Sequence, residues 1–259
     1  MFHVLLNAIS VSASKMEPFI VGGQEVSVED WPFIAFVEVT WFGLLAMACG
    51  GSLISSQTVL SAAHCMDDIT EKKAHMTGIS FNIYMGHTSY AKAKMTRVVL
   101  DYETHEDYSP EDTEVRYDIG IMFLTSPVRF SDNVQKAILQ PSFSFKEDSH
   151  MVIAGWGYTA PGNKGTGSER LNAIEMTAKK YRSCKNMYKV ICAASEEGHP
   201  FTGDSGGPVL NVQTQHQVGI VSMRDLDTGI TILTSVPDYW DWIRKTQHKL
   251  FRRFCGQIK

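Results

Sequence analysis

Short apolar segments separated by turn-forming residues recur along this chain of 259 residues. Each segment has the length of a strand, and long amphipathic helical patterns are missing from the body of the chain. The segments in the first half are Phe33–Val39, Ala48–Ile54, Thr58–Ala62, Ile79–Met85, Arg97–Leu100 and Ile119–Leu124. Those in the second half are Met151–Trp156, Leu171–Met176, Pro208–Val212, Gln217–Met223 and Ile230–Val236. This pattern predicts an all-β protein built from barrels.

A helix is predicted only at the end of the chain. Pro237 suits a first helical turn, and the apolar side chains that follow fall near one stripe of a helix. These side chains are Trp240, Ile243, Phe251 and Phe254. We therefore expect a C-terminal helix over about residues 237–254.

Composition and charge exclude some classes of partner. The chain is 44% hydrophobic, which is enough for a large core, and its formal net charge of −4 disfavours nucleic acid as a partner. No apolar stretch approaches the roughly 18 residues of a membrane span. Residues 1–13 resemble a short signal peptide ending at Val11-Ser12-Ala13, although the usual basic start is missing. A leftover propeptide or a truncated gene product is the alternative interpretation of that segment.

A glycine-rich turn supplies a candidate nucleophile. Its sequence is Gly203-Asp204-Ser205-Gly206-Gly207-Pro208. Glycines on both sides of a serine allow a tight turn that exposes the hydroxyl and directs backbone N–H groups towards one point. An acyl-transfer nucleophile needs both features, so Ser205 is the candidate.

A histidine and an aspartate could activate that serine. His64 ends a run of small residues and precedes Cys65, and its imidazole titrates in the range that a general base requires. Asp118 opens an apolar strand, so its carboxylate needs a partner once buried. The competing interpretations are an ordinary core histidine and a solvated strand-end charge. The neighbouring acids lie in more polar surroundings, and we expect them to be solvated loop charges: Asp101, Asp107, Asp112 and Glu114.

These motifs together resemble the chymotrypsin/trypsin family of serine peptidases. The order His64, Asp118, Ser205 matches that family. Further blocks match it too, namely Ile20-Val21-Gly22-Gly23, Gly155-Trp156-Gly157 and Val218-Gly219-Ile220-Val221-Ser222. The resemblance covers Ile20 to about Thr246. It implies two six-stranded antiparallel β-barrels, at about residues 20–130 and 131–236, with the catalytic residues in the cleft between them.

The resemblance also implies a mechanism and a location. The chain would be a secreted, extracellular serine endopeptidase that cleaves polypeptides through an acyl-enzyme. The N–H groups of Gly203 and Ser205 would form the oxyanion hole, and Ser222 would hydrogen-bond the buried Asp118. Protein protease inhibitors are possible further partners. A weak or inactive homologue acting as a binding protein, or an esterase of small acyl compounds, remains an alternative.

Activation in this family follows cleavage before the Ile-Val-Gly-Gly block. The new α-amino group of Ile20 would pair with Asp204, after loss of an activation peptide at residues 14–19. Phe19 occupies the position where trypsin-activated zymogens carry Arg or Lys, so the activating protease differs or the segment is removed in another way.

The family's disulfide pattern is partly retained. Cys49 and Cys65 correspond to the bridge beside the catalytic histidine, and Cys184 and Cys192 to a second bridge with an unusually short loop. Cys255 is left over, either as a free thiol or for an intermolecular bond. The use of five cysteines agrees with an oxidising destination.

The specificity pocket departs from its relatives. By resemblance, His199 lies at the pocket floor, Ser222-Met223-Arg224 form one wall, and Gly229 belongs to the same pocket. A trypsin-like aspartate is missing at position 199, so cleavage after Lys or Arg is not expected. Three interpretations stay open: a basic pocket for Asp or Glu, a pocket covered by Arg224, or an apolar pocket with Arg224 in solvent.

Neither a cofactor nor a metal is expected. The segment Met85–Tyr90, where a calcium loop would be sought, has no carboxylate, and the histidines lack zinc-site spacing.

Overall fold

The structure is a computed structural model that describes residues 20, 22–70, 78–110, 116–142, 147–158, 167–180, 184 and 187–255. The strands are β1 (Gln24–Glu25), β2 (Ile34–Trp41), β3 (Leu44–Ser55), β4 (Thr58–Ser61), β5 (Ile79–Met85), β6 (Met95–Thr104), β7 (Gly120–Leu124), β8 (His150–Gly155), β9 (Asn172–Ala178), β10 (Val190–Ala194), β11 (Pro208–Asn211), β12 (Gln217–Arg224) and β13 (Thr231–Ser235). The α-helices are α1 (His64–Thr70) and α2 (Trp240–Cys255), and two 3-10 turns lie at Tyr90–Lys92 and Pro237–Tyr239. The predicted signal and activation segments at 1–19 lie outside the described residues.

The first barrel closes in the order β2-β3-β4-β7-β6-β5. All its pairings are antiparallel, and its centre is filled by inward-facing aliphatic and aromatic side chains such as Val37, Leu60, Ile121 and Phe123. Closure removes the free sheet edges, which is why short strands suffice for a stable unit.

The second barrel closes in the order β8-β9-β10-β13-β12-β11, because β8 also pairs with β9. The short β1 pairs with β9 as an added strand. Ile20 is fully buried in the core of this barrel, beside residues such as Ile153 and Val209. The predicted all-β class with two six-stranded barrels and a C-terminal helix is therefore confirmed.

The two barrels meet through a shared apolar cluster. Phe36 of the first barrel contacts Trp156, which follows β8, in an edge-to-face arrangement with ring centroids 5.8 Å apart. Nearby, the N–H of Gly50 in β3 donates a 2.7 Å hydrogen bond to the carbonyl of Ser205. This bond ties the glycine-rich turn of the second barrel to the first.

Helix α2 packs on the first barrel. Ile243 and Leu250 are fully buried, and Phe254 stacks on Phe123 with ring centroids 5.1 Å apart. Arg253 donates hydrogen bonds to Asp101 at 2.5 Å and to Glu103 at 2.6 Å. Asp101 is therefore not the solvated loop charge that its polar neighbours suggested, because the helix brings a cation onto it. Within the described residues, no helix has the length and apolar content needed to cross a membrane.

Several elements differ from the sequence expectation. Strand β10 was missed, because its Val-Ile-Cys-Ala-Ala run is short and ends in two alanines, which are depleted in strands. Helix α1 was missed too, since its seven residues make only about two turns, too few for a readable periodicity. Strands β3 and β6 are longer than their apolar segments. The first three residues of β3 are all exposed, and most of β6 alternates between half-buried and exposed residues.

Candidate active site

The pairing of β4 with β7 brings His64 and Asp118 together. Ser61 at the end of β4 lies opposite Gly120 at the start of β7, so the residues just beyond this pair are neighbours. The Nδ1 atom of His64 lies 2.9 Å from Oδ2 of Asp118, and the backbone N–H of His64 donates a 2.9 Å hydrogen bond to Oδ1. Two bonds to one carboxylate fix both the backbone and the ring of His64.

Asp118 is buried and surrounded by hydrogen-bond donors. Its side chain accepts a very short hydrogen bond from the hydroxyl of Ser222, and its carbonyl accepts one of 2.9 Å from Thr234. Burial by itself would raise the pKa of the Asp118 carboxyl. The charge of His64 and the hydrogen bonds from His64 and Ser222 outweigh burial and lower that pKa below its ordinary value. The carboxylate is thus ionised at neutral pH.

The Ser205 turn is held by backbone hydrogen bonds on both sides of the serine. The N–H of Gly206 donates to the carbonyl of Val221 at 2.7 Å, and the N–H of Gly207 donates to that of Asp204 at 3.0 Å. Gly206 has φ +79°, and a Cβ there would lie 2.1 Å from Oγ of Ser61. Only glycine fits position 206. Ser205, the residue before it, is half-buried at the cleft.

Both predicted cysteine pairs are disulfides, Cys49–Cys65 and Cys184–Cys192. The Sγ of Cys65 lies 3.7 Å from the Ser205 carbonyl and 3.7 Å from Nε2 of His64. Potential ligand atoms of Cys49, His64 and Cys65 lie within 4.8 Å of one another. Because both sulfurs are bound in the disulfide, this group lacks the thiolates that a metal site would use. The side chain of Cys255 lies outside the described residues.

A cleft of about 300 Å³ opens beside Ser205. Its walls combine the Ser205 turn with the end of β12 and the loop after it. They include Phe201, Ser205, Ser222, Met223, Arg224 and Leu226. Three of the five residues predicted to bind substrate therefore border one cavity with the candidate nucleophile: Ser222, Met223 and Arg224.

Of the other two predicted pocket residues, Gly229 lies against Arg224, and His199 is affected by the charge of Arg224. A Cβ on Gly229 would be 3.4 Å from Nη2 of Arg224, so the guanidinium occupies the space beside this glycine. Burial and the charge of Arg224 lower the pKa of His199 to about 4. His199 is therefore neutral at pH 7, and its Nδ1 is buried without a hydrogen-bond partner.

Asp204, predicted to act in activation, is fully buried. Its carboxylate accepts hydrogen bonds from the N–H of Gly157 at 2.8 Å and the N–H of Phe201 at 2.9 Å. Burial raises the pKa of Asp204 to about 6, and the two N–H donors act against that rise. Among the described residues no cation contacts this carboxylate.

Sequence reasoning missed the residues that surround the two buried carboxylates. Cβ atoms on Gly155 and Gly157 would lie 2.2 Å and 2.3 Å from the Asp204 carboxylate oxygens. The two glycines of the Gly155-Trp156-Gly157 motif therefore form a wall of the Asp204 site, in addition to matching the family. Thr234 carried no sequence signal at all, because its role depends on β13 lying next to Asp118.

Comparisons with known proteins agree with this fold. A family model described as Trypsin matches residues 20–243. The chain is 27% identical over 248 residues to cathepsin G of Mus musculus, covering 91% of this chain and 88% of that protein. It is 28% identical over 241 residues to granzyme C of Mus musculus, covering 88% and 90%. The solved structure titled "Structure of GrC" has a TM-score of 0.75 and 27% identity, covering 88% of this chain and 100% of that one. The chain therefore belongs to the trypsin family and is a serine endopeptidase with the chymotrypsin-like fold.

Proposed function

We propose that Ser205, His64 and Asp118 form the catalytic triad of a peptidase that hydrolyses peptide bonds through an acyl-enzyme. The observation that carries the proposal is that the Asp118 carboxylate bonds His64 twice, once at the backbone N–H and once at Nδ1. A carboxylate that accepts from Nδ1–H leaves Nε2 as the basic nitrogen of the ring. Ser205 lines the cleft of about 300 Å³, and its carbonyl lies 3.7 Å from the Sγ of Cys65, the residue that follows His64.

The reaction would run in two halves. Nε2 of His64 takes the hydroxyl proton as Oγ of Ser205 attacks the scissile carbonyl, then passes that proton to the leaving amine. Water, activated by the same nitrogen, hydrolyses the resulting ester. Throughout, Asp118 stays ionised and stabilises the imidazolium.

We assign the oxyanion hole to the N–H groups of Gly203 and Ser205. The N–H groups of Asp204, Gly206 and Gly207 are bonded to carbonyls within the protein. Within the described ranges, those of Gly203 and Ser205 have no such acceptor. Each donor of this kind contributes roughly 3–4 kcal/mol to transition-state stabilisation.

We further propose that cleavage before Ile20 switches the enzyme on. The Ile20 side chain is fully buried in the second barrel, which also contains the buried Asp204 carboxylate. A raised pKa at Asp204 indicates that this carboxylate lacks a cation in the unprocessed chain. The ammonium freed at Ile20 would supply it, and the protease that makes the cut is a required partner.

The two disulfides favour a secreted protein. Disulfides such as Cys49–Cys65 and Cys184–Cys192 persist in oxidising compartments and are rare in the reducing cytosol. Detection of the protein in the medium of expressing cells, without the predicted signal segment at 1–13, tests this part.

Fluorophosphonate labelling tests the triad directly. The chain would carry an engineered cleavage sequence directly before Ile20, so that the free N-terminus is verified by mass spectrometry. We expect labelling of the processed protein, its loss in Ser205→Ala, and unchanged labelling in the control Ser126→Ala on an exposed turn. Processed protein that folds and takes no label contradicts the proposal.

A further inference from the structure

We propose that Arg224 makes the cleft beside Ser205 a site for an acidic side chain, so that the enzyme cleaves after Asp or Glu. This inference rests on the proposed function and names its substrate class. It selects one of the three interpretations that the sequence left open.

The cleft contains a cation that lacks an anion. Nε of Arg224 is buried without a hydrogen-bond partner, and burial lowers the pKa of the guanidinium. An arginine stays charged at neutral pH even so. A half-buried charge of this kind is costly until a carboxylate pairs with it, and the planar guanidinium binds carboxylates through two parallel hydrogen bonds.

The nearest acid along the chain does not neutralise Arg224. The Asp225 carboxylate accepts hydrogen bonds from the hydroxyl of Thr228 and from the N–H groups of Asp227 and Thr228. These bonds hold the Asp225 carboxylate within its own turn. Across the part of the chain that the structure describes, no carboxylate forms an ion pair with Arg224.

The guanidinium borders the cleft without filling it. Its Nη2 lies over Gly229, where the missing side chain makes room. The cavity of about 300 Å³ remains open with Arg224 as one of its walls. The remaining walls are mainly apolar, for example Phe201, Val221 and Met223, and among the described residues that line the cleft Arg224 is the only charged one.

His199, which precedes the lining residue Pro200, remains neutral. With a pKa of about 4, it adds no second charge at pH 7, and its Nδ1 is buried without a hydrogen-bond partner. Arg224 is therefore the group that determines the charge preference of the pocket.

Matched substrates measure the preference. Peptides that differ only in the residue before the scissile bond, Asp against Asn and Glu against Gln, would be compared by kcat/KM, with active sites counted by fluorophosphonate. We expect the acid to exceed its amide by roughly 10- to 100-fold, the value of a hydrogen bond to a charged group. Arg224→Gln should bring each ratio close to one, while Arg252→Gln, an exposed arginine on α2, should leave it unchanged.

A binding measurement separates this inference from the proposed function. Product-like peptides ending in Asp or Asn would be titrated into Ser205→Ala, and the aspartate form should bind more tightly unless Arg224→Gln is also present. If the processed enzyme takes no fluorophosphonate label, the proposed triad is wrong. The acidic pocket is still tested in that case, because the binding difference does not depend on catalysis. A labelled enzyme that prefers apolar, small or basic residues, or a ratio that survives Arg224→Gln, overturns the acidic pocket.

Discussion

Asp118 holds His64 at two points, with Oδ1 accepting the backbone N–H and Oδ2 lying 2.9 Å from Nδ1 of the ring. The first bond places the start of α1 against the start of β7. The second bond orients the ring and fixes the tautomer. A substitution at Asp118 can therefore keep the hydrogen bond that positions the His64 backbone and still change the tautomer of the His64 ring.

Replacing Asp118 by Asn should preserve the fold and remove most of the activity. The amide oxygen can still accept the backbone N–H, but an amide NH₂ facing Nδ1 favours the tautomer with its proton on Nε2. That tautomer cannot take the Ser205 proton, and the expected loss in kcat is about 10⁴-fold, as for the corresponding change in this family's reference enzyme. Steady-state kinetics on the processed protein measure it.

Asp132→Asn, on an exposed turn of the connection between the barrels, is the control for loss of a charge. Equal kcat in Asp118→Asn and the parent would show that the carboxylate does not act through His64.

Gly206 and Gly43 share φ +79° and should respond very differently to alanine. A Cβ on Gly206 would lie 2.1 Å from Oγ of Ser61 and 2.5 Å from the Gly50 carbonyl oxygen, whereas a Cβ on Gly43 meets nothing within 4 Å. We expect Gly43→Ala to cost about 1–2 kcal/mol of unfolding free energy from backbone strain. Gly206→Ala adds overpacking, for a total on the order of 2–5 kcal/mol.

Urea unfolding of both variants makes the comparison. Fluorophosphonate labelling should fall only in Gly206→Ala, because Ser205 adjoins it. Equal losses of stability would mean that the barrel interface relaxes around the new methyl group.

Asp204 should make the unprocessed chain less stable as the pH rises. Its pKa in the folded chain is raised from 3.8 to about 6. A raised folded pKa gives a contribution that is fully present below pH 3.8 and is lost as the pH passes through about 6. The shift corresponds to about 3 kcal/mol of unfolding free energy.

The comparison is the difference in unfolding free energy between the unprocessed parent and Asp204→Asn, measured between pH 4 and pH 8. The parent should lose stability relative to the variant over this range. In the processed protein this loss should disappear, since an ammonium beside Asp204 lowers its pKa and moves its titration to the acid end of the range. If the difference in unfolding free energy does not change with pH in either form, Asp204 is not an uncompensated carboxylate in the unprocessed chain.

His199 should titrate far below an ordinary histidine. Burial is the larger cause of its lowered pKa of about 4, and the charge of Arg224 is the second. The Arg224→Gln variant should therefore raise the pKa of His199 while leaving it below the ordinary 6.5.

NMR titration of the His199 ring protons gives both values, and Arg252→Gln serves as the control. An unchanged pKa in Arg224→Gln would place the guanidinium away from the ring, which also weakens the case for a shared pocket.

The sequence by itself carried the fold class and the candidate chemistry. Closed barrels followed from short apolar segments, because strand length and burial are recorded locally in the pattern of side chains. Ser205, His64 and Asp118 were singled out because glycines flank the first, small residues precede the second and an apolar strand follows the third. The proximity of His64 to Asp118 agrees with that selection, and the catalytic roles remain predictions.

Other features were decided only by the tertiary structure. The pairing of Arg253 with Asp101 joins residues far apart in the chain, so no local pattern could reveal it. The glycines at 155 and 157 are needed because Asp204 occupies the space of their missing side chains. The three interpretations of Arg224 were equal in the sequence, since a charge preference depends on which groups surround the guanidinium. The structure places Arg224 beside Gly229 at the cleft of Ser205 and commits Asp225 to its own turn, because the register of β12 and β13 determines which side chains meet there.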